Sequence, residues 1–357
     1  MRYVSTKYLK PGDKLSTDLT VSQNRVLLRK GRELSQTIIK KLEMLGFQGV
    51  YVDDKLSEGI TVSDIISHEL KTIARAEMQA LFYNGENNRH KSVRKQLPSI
   101  KNIVHKIVNE VVHNRDIMVN IIDIRAYDDY TYSHSLNVSV LSVVMGTALG
   151  LSNKQLYDLA MGALLHDTGK MFINKDILNK PSRLAPEEFE EIKLHSERGY
   201  HYLCEQLEIP EYARLVALQH HEQYCGNGYP CGLEADCIHL YGRICCVADV
   251  YDALTSDRPY RKSMLPSDAI EYIMSGYGTL FDPKVVEALT KKIAPYPVGT
   301  CVRLSTGQTG IVIKNYQETS LRPRIRLIED GEPTEKYIDL SEDMTALNIT
   351  INGIVSG

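Results

Sequence analysis

The chain has 357 residues, of which 43% are hydrophobic and 24% charged, and its formal net charge is −3. At roughly 150 residues per domain this length predicts two to three domains, and the composition excludes collagen, extended disorder and a polytopic membrane protein. So small a net charge gives no global attraction to nucleic acid or acidic membranes, so an anionic ligand must be met by a local cluster of positive charge.

Residues 1–57 carry the turn signals KPGD and RKGRE between short β-prone runs, then an amphipathic stretch from Ser35 to Leu45 and the strand-like GVYV. A small α+β module is predicted there. Over 58–115, Ile65, Ile66, Leu70, Ile73, Met78 and Leu81 recur at threes and fours until NGENNRHK interrupts them, which predicts a helical connector whose apolar face suits a homodimer. Residues 116–296 read as successive amphipathic helices punctuated by NKPSRLAP, CGNGYPCGLE and SDRPYRKSMLP, hence an all-α centre. Residues 297–357 change to the short runs CVRL, GIVI, PRIRLI, KYIDL and LNITI, which predict a small β-barrel-like module of about five strands. The expected fold class is therefore multidomain: a central all-α domain flanked by an N-terminal α+β module and a C-terminal β-barrel-like module.

The nearest approach to a membrane span, Ser133 to Leu151, is interrupted by His134, Asn137 and serines, so no membrane insertion is expected. Seven cysteines, an odd number, and the opening MRYVSTKYLKPGD, which has no apolar signal segment, predict reduced thiols in the cytoplasm. Cys225, Cys231 and Cys237 lack the CxxC pairing of structural zinc sites, and no helix–turn–helix or basic stripe points to DNA.

The residues that carry chemistry lie in the helical centre: His134, His166 with Asp167, His195, His220 with His221, and Asp249. A lone histidine is more often a core or capping residue; the set is what points to metal. Imidazole nitrogen with carboxylate oxygen, and no thiolate, suits iron, manganese or zinc in an open catalytic site. Phe189, Ile192 and His195 recur every three residues, predicting one inward stripe that includes the imidazole. In the apolar helix ICCVADVYDALTS, Asp249 and Asp252 share a face. A buried carboxylate without a partner is costly, so that face is either wet or directed toward cations. GALLHDTGK sets His166 and Asp167 at a helix end with Lys170 one turn on. A carboxylate bridging two divalent ions about 3.5–4 Å apart suits displacement at a phosphate ester.

The segments DDYTYSHS, ALLHDTGK, ILNKP, KLHSERGY, HHEQYCGNGYP, RICCVADVYDALTSDRPYRK and FDP resemble the HD-GYP branch of the HD-domain phosphohydrolases, from about Asp128 to Pro283. The resemblance implies an all-helical HD core, two divalent metal ions, iron or manganese, and the cyclic dinucleotide cyclic di-GMP as substrate. Carried over by position, it implies His134, His166, Asp167 and Asp249 around one metal and Asp167, His195, His220 and His221 around the other, with Asp167 bridging. Lys170 would approach the scissile phosphate. Gly228 and Tyr229 would shape the substrate loop and offer it a ring and a hydroxyl. Arg258 and Arg261 would present guanidinium forks to the nucleotide. Asp128 and Asp252 would be supporting or substrate-side carboxylates, although helix capping explains Asp128 almost as well.

Three departures stand out. Tyr130 occupies the place where some members have a glutamate that binds a third metal, so two metals are expected. Cys225 replaces the aspartate of HHExxDGxGYP, and Ala235 and Asp236 stand near a common glycine, so the substrate loop is altered. The implied activity is hydrolysis of cyclic di-GMP to linear pGpG, with further cleavage to GMP as an extension and a metal-bridging hydroxide as nucleophile. The alternatives are another cyclic dinucleotide such as cyclic GMP-AMP, or a catalytically weak receptor or scaffold. The first module also resembles the small N-terminal domain often found beside HD-GYP domains.

Overall fold

A computed structural model describes residues 1–21, 25–45, 47, 49–62, 64–87, 90–119, 130–180, 182–256 and 263–355. The chain divides into two compact units, one made of Met1–Asp64, Met118–Asp129 and Ile293–Gly357 and the other of Ile65–Ile117 and Tyr130–Lys292.

In the first unit, β1 (Arg2–Ser5), β2 (Lys14–Leu15) and β5 (Gly49–Asp53) form an antiparallel sheet ordered β1-β5-β2, and β3 (Leu19–Val21) pairs with β4 (Arg25–Leu28). Helix α1 (Gln36–Met44) starts where Ser35 accepts from the Ile38 amide, satisfying one of the amides a helix start leaves open. Its Ile39 and Leu42 close a core with Val4, Leu15, Leu34, Val50 and Val52.

The C-terminal part of this unit is an antiparallel sheet of β6 (Cys301–Leu304), β7 (Thr309–Lys314), β8 (Arg324–Glu329), β9 (Glu332–Asp339) and β10 (Ile351–Ile354), ordered β10-β6-β7-β8-β9. The barrel-like expectation is corrected here. The sheet is open, because β10 and β9 lie at opposite edges. Period-two alternation gives it two apolar faces. Val302, Leu304, Val312, Ile325 and Leu327 pack with Leu340 and Ala346 on one face, while Cys301 and Ile311 pack with Leu56 and Ile60 on the other. The N-terminal segment thus covers the second face, and closure is not needed to bury it. Arg2 bonds Asp54 at 2.7 Å, and the Arg326 guanidinium donates to the Leu56 and Glu58 carbonyls.

The second unit is helical: α2 (His68–Glu86), α3 (His90–His113), α4 (Tyr130–Ala148), α5 (Asn153–Leu165), α6 (Lys175–Leu178), α7 (Pro186–Lys193), α8 (His195–Gln206), α9 (Glu211–Gln219), α10 (Leu240–Thr255), α11 (Pro266–Ser275) and α12 (Pro283–Lys292). Helix α4 is buried around much of its circumference, with Leu136, Val138, Val140, Leu141 and Val143 against small buried Ser135, Ser139 and Ser142. Such all-round burial marks a central helix. It packs on α5 and α10, and α9 packs on both of those. Among the described residues no helix is long and apolar enough to cross a membrane.

Candidate active site

Helix ends build this site. The last turn of a helix leaves carbonyls without amide partners, and imidazoles take them. His166, the residue after α5, donates Nδ1–H to the Ala163 carbonyl at 2.8 Å. His220, the residue after α9, donates to Ala217 at 3.0 Å and lies 3.1 Å from the Val216 carbonyl. His195, the first residue of α8, donates to Ile192 at 2.6 Å. A carbonyl only accepts, so in each case Nδ1 carries the hydrogen and the Nε2 lone pair is left for the centre.

Two groups of donor atoms result, each within 4.8 Å: His134, His166 and Asp167, and His195, His220 and His221. Asp167 faces both. Its Oδ2 lies 3.4 Å from His166 Nε2 and 3.7 Å from His134 Nε2, while Oδ1 lies 3.5 Å from His195 Nε2 and 4.0 Å from His220 Nε2. Asp249 on α10 also touches both groups, with Oδ1 at 3.1 Å from His134 Nε2 and Oδ2 at 4.0 Å from His221 Nδ1. Lys170, in the 3₁₀ turn Thr168–Phe172, reaches Asp167 Oδ2 at 2.5 Å. Gly169 lets that turn lie against α8, since a Cβ there would collide with the His195 carbonyl.

Burial and mutual repulsion set the charges. Burial pushes His195 down to about 4 and His221 down to about 3, and it holds His220 well below the usual histidine range with help from His221. Neutral imidazoles are the form that binds metal. Burial would raise Asp167 and Asp249, but His166 and Lys170 hold the first, and a hydrogen bond with His134 the second, well below the usual carboxylate range. For His134 burial is outweighed by Asp249 and Asp252, which raise it to about 9.

The donor set fits a metal. His166 Nε2 and Asp167 Oδ1 are buried without a hydrogen-bond partner, a costly arrangement for polar atoms unless each meets a cation.

Several expectations change. Of the two roles expected of Asp252, supporting or substrate-side, its surroundings fit the supporting one: it is 1% exposed, and its oxygens accept from His134 Nδ1 at 2.7 Å and Asn137 Nδ2 at 2.8 Å. Asn137 went unread in the sequence, although its place three residues after His134 on one helix face was a usable signal. The stripe through Phe189, Ile192 and His195 also breaks. Phe189 is exposed, α7 ends at Lys193, and His195 begins a new helix. Cys225, Cys231 and Cys237 are free and exposed, and among the described residues none joins a metal-sized group. Asp128, Arg258 and Arg261 lie outside the described residues.

The Gly228–Tyr229–Pro230 loop closes over this centre. The Tyr229 ring stacks on His221 with centroids 4.7 Å apart, its amide donates to the His221 carbonyl at 3.1 Å, and burial pushes its hydroxyl upward, so it keeps its proton. The FDP segment has a bracing role the sequence did not reveal: buried Asp282 accepts from Arg243 of α10 at 2.7 Å. Ala235 has φ of 49°, in the left-handed region, near where the resemblance expects glycine.

Residues 116–285 match the HD domain family model, and residues 301–355 match the KOW domain associated with HD domain. The chain is 36% identical over 225 residues to cyclic di-GMP phosphodiesterase PA4108 of Pseudomonas aeruginosa, covering 63% of this chain and 54% of the relative. It is 33% identical over 244 residues to the cyclic di-GMP phosphodiesterase response regulator RpfG of Xanthomonas campestris pv. campestris, covering 67% and 65%. It is 34% identical over 172 residues to 3'3'-cGAMP-specific phosphodiesterase 3 of Vibrio cholerae, covering 48% and 37%. The chain thus spans less than two thirds of the length of each of these relatives. Among solved structures, Bd1817, a HDG"Y"P protein from Bdellovibrio bacteriovorus, aligns over 80% of this chain and 97% of that one, with TM-score 0.53 and 19% identity, a likeness of fold. Residues 116–285 therefore match the HD domain, and their Gly228–Tyr229–Pro230 segment resembles the signature of its HD-GYP branch.

Proposed function

We propose that this protein is a metal-dependent phosphodiesterase that hydrolyses cyclic di-GMP to linear pGpG. The observation that carries this reading is the pair of buried, unpartnered donors, His166 Nε2 and Asp167 Oδ1, within two groups of inward-facing imidazoles. Two divalent ions, iron or manganese, would supply an acidified water and neutralise charge on the phosphoryl oxygens. His134, His166 and Asp249 would hold one ion and His195, His220 and His221 the other, with Asp167 facing both groups.

The remaining steps belong to the chain itself. Asp252, held by Asn137, fixes the His134 ring through Nδ1. Lys170 is partly open to solvent beside Asp167, where its ammonium offsets charge on the phosphate and can pass a proton to the leaving oxygen. Tyr229 contributes a ring and a protonated hydroxyl to the nucleotide, on a loop shaped by Gly228. Arg258 and Arg261 are assigned to the substrate, and Asp128 to a supporting or substrate-side role, on the resemblance. The same reading gives catalysis to residues 116–296, connection and a homodimer contact to 58–115, and regulation or assembly to 1–57, in the cytoplasm.

Cys225 favours a second reading, hydrolysis of 3'3'-cGAMP, because it changes the loop beside the substrate and several relatives are named for that activity. The test is turnover of both dinucleotides by anaerobically prepared chain loaded with iron or manganese, with products resolved by chromatography. Faster loss of cyclic di-GMP with pGpG appearing supports the first reading. A preference for 3'3'-cGAMP supports the second, and two intact substrates beside a metal-loaded protein would remove both.

A further inference from the structure

Glu222 directly follows His221 and is only 2% exposed. Its carboxylate nonetheless bonds the chain beyond the signature loop: Oε1 accepts from the Cys231 amide at 2.8 Å and Oε2 from the Leu233 amide at 3.0 Å. Those amides flank Gly232, which turns at φ of 64°. The carboxylate therefore spans the turn that leaves Gly228–Tyr229–Pro230. On the other side of the loop, the Tyr229 amide is bonded to the His221 carbonyl and its ring lies against the His221 ring. Between these attachments Gly228 rests on the main chain of Glu222 and Gln223, where a Cβ would collide with both. Two adjacent residues, His221 and Glu222, thus hold the loop from both ends.

We propose that Glu222 is a positioning residue for the substrate: it fixes the Gly228–Tyr229–Pro230 loop so that Tyr229 is presented in one orientation before the dinucleotide arrives. This rests on the phosphodiesterase reading and deepens it. The chemistry explains the residue type. A buried carboxylate is costly unless bonded, and two amides converging from one turn suit an acceptor with two oxygens. Glutamine would bring an NH₂ group against one of those donors, and alanine would leave both amides unpaired. A loop released in this way samples orientations that do not bind, so the loss falls mainly on substrate capture.

The experiment uses the metal-loaded full chain with Glu222→Ala, Glu222→Gln, Tyr229→Ala and the Glu222→Ala/Tyr229→Ala double variant. Glu222→Ala should speed hydrogen exchange at the Cys231 and Leu233 amides by about tenfold or more, as loss of two charged hydrogen bonds requires. It should also raise KM by about tenfold with a smaller effect on kcat, while Glu222→Gln falls between it and the wild type. Because Glu222 acts through Tyr229, adding Glu222→Ala to Tyr229→Ala should raise KM by less than about twofold further. Unchanged exchange at the two amides, or a KM penalty as large in the Tyr229→Ala background as in the wild type, would overturn the proposal. If the wild type turns over no cyclic dinucleotide, the phosphodiesterase reading fails, and the exchange rates still decide whether Glu222 holds the loop.

Discussion

His134 and Asp252, from α4 and α10, meet at 2.7 Å between Nδ1 and Oδ2, and Asp249 lies 3.1 Å from the same ring's other nitrogen. One imidazole is bracketed by two carboxylates from a single helix face. In the metal-free protein this bracket raises His134 to about 9, keeping a proton on Nε2 that a cation can replace. Asp252→Ala should therefore weaken metal binding by about 10- to 100-fold, the usual cost of removing a carboxylate behind a ligating histidine. Competition against a chelator of known affinity measures this; unchanged affinity would remove Asp252 from the role.

Lys170 bonds Asp167 through an ammonium, which has no lone pair to offer a metal. Lys170→Met should lower kcat by about 10²- to 10⁴-fold, the range for loss of a positioned proton donor or charge. Metal content by elemental analysis should stay at the wild-type value. Loss of metal in step with activity would show that the lysine supports the site instead of acting on the substrate.

The metal-free protein should be most stable near pH 6.5. His195 and His221 lie below their ordinary value of 6.5, at about 4 and about 3. The folded state then takes up fewer protons than the unfolded chain, so their contribution is present above pH 6.5 and is lost as pH falls through those values. His134 has the opposite sign: its contribution is complete below 6.5 and is lost as pH rises through about 9. Thermal melts in chelator should show Tm falling on both sides of that optimum. A flat Tm between pH 6.5 and 4.5 would contradict the assignment.

Ala235 carries a Cβ at φ of 49°, a conformation that costs an L-residue about 1 kcal/mol and a glycine little. Ala235→Gly should stabilise the helical unit by up to about that amount, less the entropy glycine gains when unfolded. Urea unfolding followed at the helical signal checks this, and a clear destabilisation would show that the strain is absent.

The helical centre was legible because local signals and chemistry agreed there. GALLHDTGK reads as an apolar helix ending in polar ligands, and α5 ends at Leu165 with His166 and Asp167 just beyond. The open form of the C-terminal sheet was not legible. Strand periodicity reports two apolar faces, but only three-dimensional contact shows that Leu56 and Ile60 cover one of them. The break before His195 was hidden for a related reason. A period of three fits one continuous helix as well as two short ones, and EEIKLHSE contains neither glycine nor proline to mark the joint. Asp252 and Glu222 show a further limit. Residue type and spacing bring a carboxylate near a site, but whether it faces metal, substrate or main chain depends on which donors the fold brings to it.

The central claim is that one carboxylate, Asp167, lies between two metal ions. An anomalous difference map from crystals of the manganese-loaded protein tests it directly. Two peaks about 3.5–4 Å apart are expected, one beside His134, His166 and Asp249, the other beside His195, His220 and His221, with an Asp167 oxygen on each. A single peak, or no density between these side chains at saturating manganese, would contradict it.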